Sequence, residues 1–169
     1  MSRRVLHLIV PVLLLLAACG KDDGATVQSA SETGSASGST ASAGCEVVGG
    51  VDEAKTGEVH VTLDEYTIAY EEDGATAGVV QIEATNTGDE DHELVVVKGN
   101  KDDLPVTNGV VDEEGIELTG EIEPFGAGEE CVGKFELTPG TYTLFCGIVE
   151  EDAGESHFQE GMVAELEVK

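Results

Sequence analysis

The sequence predicts an all-β domain, an antiparallel β-sandwich, and three observations carry that prediction. Apolar and polar residues alternate with a period of two through a series of short stretches. Glu-Asp-Gly, Asn-Thr-Gly and Pro-Gly turns separate those stretches, the punctuation of half-buried strands. The chain is also rich in Val, Thr and Gly, with 22 Gly in 169 residues, and it lacks the long runs of helix formers that a bundle requires. Its hydrophobic fraction of 40% is enough for a core, although that core has only three Tyr, four Phe and no Trp.

The first element is not part of the sandwich. Arg3 and Arg4 form a short positive start, and the apolar run Val5 to Ala18 follows, interrupted by His7 and Pro11. That run is too short to span a bilayer comfortably and has the layout of a secretory signal. It ends in Leu16-Ala17-Ala18-Cys19, which resembles the bacterial lipobox, so residues 1–18 are expected to be a lipoprotein signal peptide and Cys19 the lipidated first residue. The competing reading is an ordinary signal peptide cut at a small-residue site. The Ser2-Arg3-Arg4 start matches part of a twin-arginine export signal. Residues 19–44 then comprise Cys19 and a tether, of whose 25 residues from Gly20 to Gly44 19 are Gly, Ala, Ser or Thr. A random coil of that length holds a domain roughly 25–30 Å from a membrane. The domain itself is expected over residues 45–169.

The strands follow in order. Val59, Val61 and Leu63 alternate with Glu58, His60 and Thr62. Tyr66, Ile68 and Tyr70 define the next, then Val80, Ile82 and Ala84, then His92, Leu94 and Val96. Cys131, Phe135 and Leu137 share a face, as do Tyr142, Leu144 and Cys146, and finally Met162, Ala164, Leu166 and Val168. The stretch from Gly99 to Glu130 has no clear period and is expected to be loops with at most a short strand.

Charge limits function. Against 35 acidic side chains stand 8 basic ones, a net charge of -27 with a pI near 4.1, and both arginines belong to the leader. Removing residues 1–18 leaves 6 basic and 35 acidic groups, or -29. Such a chain does not bind a nucleic-acid backbone. The acid reads first as a solvated surface, since it is spread along the domain. The acid concentrated beside His157 also fits steering toward a basic partner.

Four cysteines remain to be placed. With Cys19 assigned to lipid, an exported chain has three to account for, Cys45, Cys131 and Cys146. A Cys45–Cys131 disulfide would pin the start of the domain; a buried free thiol at Cys131 is the alternative, and spacing alone does not fix the connectivity. Cys146 is then left without a partner. Around it the sequence supplies a strand-borne His92, a loop His157 ten residues beyond Cys146, and Met162 at the start of the last strand. Two imidazoles, a thiolate and a thioether are the donors of a blue-copper site: soft sulfur suits Cu(I), imidazole suits Cu(II), and a compromise geometry serves both. Each residue has a plainer reading. His60, between Glu58 and Thr62, reads as a surface His, and Met162 is in phase with core residues. Zinc could use two His and a Cys but leaves the Met without a purpose. A Cys146/His157 nucleophile pair lacks a recognisable orienting group and oxyanion loop, so no enzyme is expected.

The segments Asn86 to Val96, Pro139-Gly140-Thr141-Tyr142-Thr143-Leu144-Phe145-Cys146, and His157 followed by Gly161-Met162 resemble the cupredoxins, the plastocyanin and azurin type of blue-copper protein. The resemblance covers about residues 57–169. It implies a Greek-key sandwich with one copper at its end, His92, Cys146 and His157 as strong ligands and Met162 as the axial one. It implies a monomeric one-electron carrier working with a redox protein partner, here lipid-anchored to a membrane outside the cytoplasm, with its loop His reaching the surface through an apolar patch. Two features depart from the family. The Cys146–His157 loop is longer than in plastocyanins, and it is acidic, with Glu150, Glu151, Asp152 and Glu155; Ile148, Val149 and Phe158 are the apolar residues near it. Two other functions use the same domain: copper binding or delivery by a lipoprotein, and a metal-free accessory binding module.

Overall fold

A computed structural model describes residues 45–71, 75–150 and 154–169. The leader, Cys19 and the tether expected over residues 1–44 lie outside the described residues, as do Glu151 and Asp152. Among the described residues thirteen strands run in chain order: β1 (Val47–Val48), β2 (Gly57–Asp64), β3 (Thr67–Tyr70), β4 (Gly78–Asn86), β5 (His92–Lys98), β6 (Val106–Thr107), β7 (Val110–Val111), β8 (Leu118–Phe125), β9 (Glu130–Leu137), β10 (Gly140–Phe145), β11 (Val149–Glu150), β12 (Glu155–Ser156) and β13 (Val163–Val168). One α-helix among the described residues, the four-residue α1 (His157–Glu160), interrupts them. No helix among the described residues is long and apolar enough to cross a membrane.

Two sheets make the sandwich, one ordered β1-β8-β5-β10-β13 and the other β3-β2-β4-β9. Alternation selects their facing sides. Val59, Val61 and Leu63 of β2, Val80, Ile82 and Ala84 of β4, and Phe135 and Leu137 of β9 are buried from one sheet. Leu94 and Val96 of β5, Ile122 of β8, Tyr142 and Leu144 of β10, and Leu166 and Val168 of β13 meet them in one cluster. Nearly all pairings are antiparallel, as the alternation predicts. The exception is β2 with β4, which run parallel from Gly57↔Val80 to Leu63↔Asn86. The chain between β3 and β4 does not turn straight back; it passes the edge of the first sheet, where Ala75 bridges Val168.

The expectation of loops between Gly99 and Glu130 is corrected in one part. β8 is an eight-residue strand inside the first sheet, paired with both β1 and β5. Its apolar period is hidden because an inward position is Gly120. A Cβ there would lie 2.1 Å from the Phe135 ring, so the neighbouring sheet's aromatic fills the place of the missing side chain. Residues 99–117 behave as expected, with the β6–β7 hairpin as their regular part. Its Asn108-Gly109 turn has φ of 55° and 83°, the left-handed pair that a two-residue hairpin requires. This excursion covers the outer face of the first sheet. Val95 and Val97 of β5 and Phe145 of β10 form a second apolar cluster with Val111, packed by Leu104, Ile116, Phe158 and Val163. Strand β5 is therefore buried on both faces, which is why Leu94-Val95-Val96-Val97 runs apolar without alternation.

Cys45 and Cys131 are joined by a disulfide with Cα atoms 5.7 Å apart. Cys45 precedes β1 of the first sheet and Cys131 lies in β9 of the second, so the bond staples the two layers together.

Candidate metal centre

Three turns at one end of the sandwich deliver the chemistry. The first leads from β4 into His92. Asn86 is fully buried and organises it: Nδ2 donates to the carbonyls of Glu90 (2.8 Å) and Phe125 (3.0 Å), and Oδ1 accepts from the Gly88 N–H (3.0 Å). Thr87 N–H donates to Leu63 O at 2.8 Å, tying the turn to β2. We expect Asn86→Ala to destabilise the chain by about 3 kcal/mol in urea denaturation, because it leaves several backbone groups unpaired. A loss under about 1 kcal/mol would mean that water replaces the amide there.

The second turn ends β10. Cys146 is the next residue, wholly buried, and the free cysteine among the described residues. Its N–H donates to Met162 O at 3.2 Å, and the Gly147 N–H donates to the buried Glu93 carboxylate at 2.8 Å. Burial pushes the Cys146 thiol up to about 12. Burial likewise raises Glu93 to about 7 against the opposing Gly147 hydrogen bond, with Glu113, Glu121 and Glu123 adding repulsion.

The third turn carries His157. The long segment after Cys146 is not an open loop: β11 and β12 pair within it, and His157 opens helix α1. The helix N-cap Ser156 accepts from Gln159 N–H at 3.4 Å and donates to Gly109 O at 2.8 Å, so the β6–β7 hairpin holds the cap. Gly161, at φ 116°, ends the helix in the left-handed region and turns the chain to Met162. Met162 N–H donates to His157 O at 2.9 Å. Backbone hydrogen bonds thus join fully buried Met162 to both Cys146 and His157.

The structure brings His92, Cys146 and His157 together, with ligand atoms all within 4.8 Å of one another. His92 Nδ1 lies 3.3 Å from His157 Nδ1, and Cys146 Sγ lies 3.4 Å from the same nitrogen. All three residues have no exposed surface. The inner nitrogens and the sulfur converge, while the outer nitrogens face acid. His92 Nε2 is 3.4 Å from Glu65 Oε1, and His157 Nε2 is 3.5 Å from Glu90 Oε2 and 3.7 Å from Glu150 Oε1. Neither Nε2 has a hydrogen-bond partner among the described residues. Burial lowers the pKa of His92, and the neighbouring His157 lowers it further, which favours the neutral imidazole that a metal needs. An imidazole that carries its proton on Nε2 leaves Nδ1 free, so the two Nδ1 atoms and the sulfur offer one convergent donor set. That is the donor set and arrangement a soft-to-borderline cation satisfies, so the residues present fit copper. His60 is remote from this group, exposed, and 3.6 Å from Glu83.

Two expectations are corrected. The His157 ring does not reach the surface: it is buried, with the Tyr66 ring edge-on at 5.2 Å and carboxylates over its outer nitrogen. Phe158 does not form a docking patch, because it packs against Phe145 at 5.8 Å in the outer cluster. Val149 stays exposed. Sequence reasoning missed Glu65, Tyr66 and Glu90 as neighbours of the site. The β2–β3 turn brings the first two from the opposite sheet, a juxtaposition without a local signal. Burial raises Tyr66 to about 12, helped by a hydrogen bond with Glu155. Glu65 falls to about 2, chiefly because its carboxylate accepts the Glu90 backbone N–H.

Solved structures of known proteins share this architecture. Auracyanin B aligns over 71% of this chain and 94% of its own, with 22% identity and a TM-score of 0.53. Auracyanin A, a "blue" copper protein from the green thermophilic photosynthetic bacterium Chloroflexus aurantiacus, aligns over 66% of this chain and 98% of its own, with 19% identity and a TM-score of 0.50. No family model matches the chain. No curated protein matches it either. At these identities the likeness establishes architecture, and the chain has the all-β sandwich of the cupredoxins, the fold of the auracyanins.

Proposed function

We propose that this chain is a membrane-tethered, extracytoplasmic type 1 copper protein that carries single electrons between redox partners. The observation that carries the reading is the convergence of His92 Nδ1, His157 Nδ1 and Cys146 Sγ in a fully buried pocket at the end of a cupredoxin sandwich. His92, Cys146 and His157 would be the strong ligands and Met162 the weak axial one. Copper supplies a one-electron couple between Cu(I) and Cu(II) when bound there.

The protein's own contribution is rigidity and exclusion of water. The ligands come from a pinned turn, a strand end and a capped helix, all backed by core, so they keep one compromise arrangement in either charge state. The low-dielectric surroundings raise the cost of the thiolate and so favour its pairing with a metal over a free anion. No substrate bond is broken in this function. The surface over His157 is acidic: Glu90 and Glu150 have side chains 41% and 42% exposed. That supports a redox partner with a basic docking surface. Residues 1–18 would direct export and be removed, and Cys19 with the tether over residues 20–44 would anchor the domain by lipid while leaving it reach.

The test is a visible absorption spectrum of the purified full chain after addition of Cu(II). An intense blue band from thiolate-to-copper charge transfer, reversibly bleached by reductant, is the expected result. A chain that stays colourless and binds no copper by equilibrium dialysis would overturn the reading and leave a metal-free binding module. Blue copper that is surrendered rapidly to a chelator, without fast electron self-exchange, would favour copper delivery instead.

A further inference from the structure

The outer nitrogens of both imidazoles meet carboxylates, and two of these, Glu65 and Glu90, are joined by a hydrogen bond, while Glu150 approaches His157 Nε2 separately at 3.7 Å. Glu65 lies in the turn between β2 and β3, opposite the sheet that carries His92. Its Oε1 accepts the backbone N–H groups of Asp89 (2.8 Å) and Glu90 (2.9 Å) and lies 3.4 Å from His92 Nε2. A cradle receives it: a Cβ on Gly88 would stand 2.3 Å from that oxygen, so only glycine leaves room for the carboxylate. Glu90, whose backbone Glu65 holds, directs Oε2 to within 3.5 Å of His157 Nε2. That oxygen and both Nε2 atoms are the buried side-chain polar atoms without a hydrogen-bond partner among the described residues. Each outer nitrogen therefore has a carboxylate oxygen within 3.5 Å.

We propose that Glu65 and Glu90 are a pair of positioning residues that hold His92 and His157 with their inner nitrogens toward the metal and lower its reduction potential. The inference rests on the copper reading above. An imidazole that gives Nδ1 to a metal carries its proton on Nε2, and a carboxylate facing that proton fixes both tautomer and ring orientation. Two negative charges behind the ligands also favour the more positive metal, Cu(II), over Cu(I). The pair answers to the second-layer carboxylates that accompany metal-bound histidine generally, but here the two are tied through one loop, with Glu65 on the Asp89 and Glu90 N–H groups.

The experiment is a spectroelectrochemical titration of the copper-loaded full chain at fixed pH and ionic strength. It compares wild type with Glu65→Gln, Glu90→Gln, the double variant, and Glu136→Gln on the exposed side of β9. Glutamine at 65 keeps an oxygen for the Asp89 and Glu90 N–H groups and removes the charge. We expect each site variant to shift the Cu(II)/Cu(I) ratio at a given applied potential about tenfold toward Cu(I), an upward move of ~59 mV for a one-electron couple. The double variant should move further, and Cu(II) affinity should fall about 10–100-fold. Glu136→Gln should stay near wild type. Should Glu65→Gln fail to fold, Glu90→Gln still decides, because its Oε2 makes no hydrogen bond to lose. A blue wild type whose site variants shift no more than Glu136→Gln overturns this inference alone. A colourless wild type overturns the copper reading, and this inference with it.

Discussion

Cys146→Ser is expected to abolish the intense visible absorption proposed for the copper-treated chain, reducing it to the level of the metal-free protein. The reason is electronic rather than steric. The band requires a thiolate sulfur bonded to Cu(II), and Cys146 is the free cysteine among the described residues, with its Sγ 3.4 Å from His157 Nδ1. Serine replaces the soft donor by a hydroxyl that has little tendency to ionise or to hold Cu(I). The fold survives the change, at a cost of about 1–3 kcal/mol for a hydroxyl buried at a site with no exposed surface. Circular dichroism therefore reads native while the colour is lost. Met162→Leu, by contrast, is expected to keep the blue band and change the potential, since a thioether in the proposed axial position is a weak donor that would tune rather than make the site. If Cys146→Ser stayed blue, the thiolate would have to come from elsewhere and the ligand set would fall. Both variants are read by absorbance, denaturation and bound copper per chain.

The second large effect is on stability. The double variant Cys45→Ala, Cys131→Ala loses roughly 4 kcal/mol relative to the oxidised wild type, because the bond spans 86 residues of sequence and its removal frees a long loop in the unfolded chain. Against a typical total of about 5–15 kcal/mol that is a substantial fraction. Urea midpoints at a common m-value measure it. Variants serve better than a reducing agent, which would also reduce the metal. The blue band of the folded variant remains, since its ligands come from other turns. A loss under about 1 kcal/mol would show that the strand pairing Ala84↔Cys131 and the β1–β8 pair already hold the two layers together.

Much of this could be read from the sequence because it depends on period and on residue chemistry. Val59, Val61 and Leu63, or Tyr142 and Leu144, announce strands by alternation, and that signal is local. The candidate donors His92, Cys146, His157 and Met162 stand out because soft sulfur and imidazole together have few other uses, although each alone reads as core. Strand β8 was not legible. Gly120 leaves an inward position empty for Phe135, and Glu121, Glu123 and Pro124 dilute the pattern. The uninterrupted apolar run of β5 hid a second packed face, made by the excursion over residues 99–117.

The surroundings of the site belong to tertiary structure. Sequence proximity puts Phe158 and Val149 beside His157 and suggests an exposed ring, yet packing takes Phe158 to Phe145 and closes His157 beneath Tyr66, Glu90 and Glu150. Glu65 reaches His92 across the sandwich from a turn 27 residues earlier in the chain. What the amino-acid order by itself determined is the class of fold and the kinds of donor available. Which charges stand behind those donors, and whether the ring meets solvent, was decided only when two sheets came together. Alternation is a property of neighbours along the chain, whereas the field at a buried nitrogen is a sum over whatever the fold brings within a few ångströms.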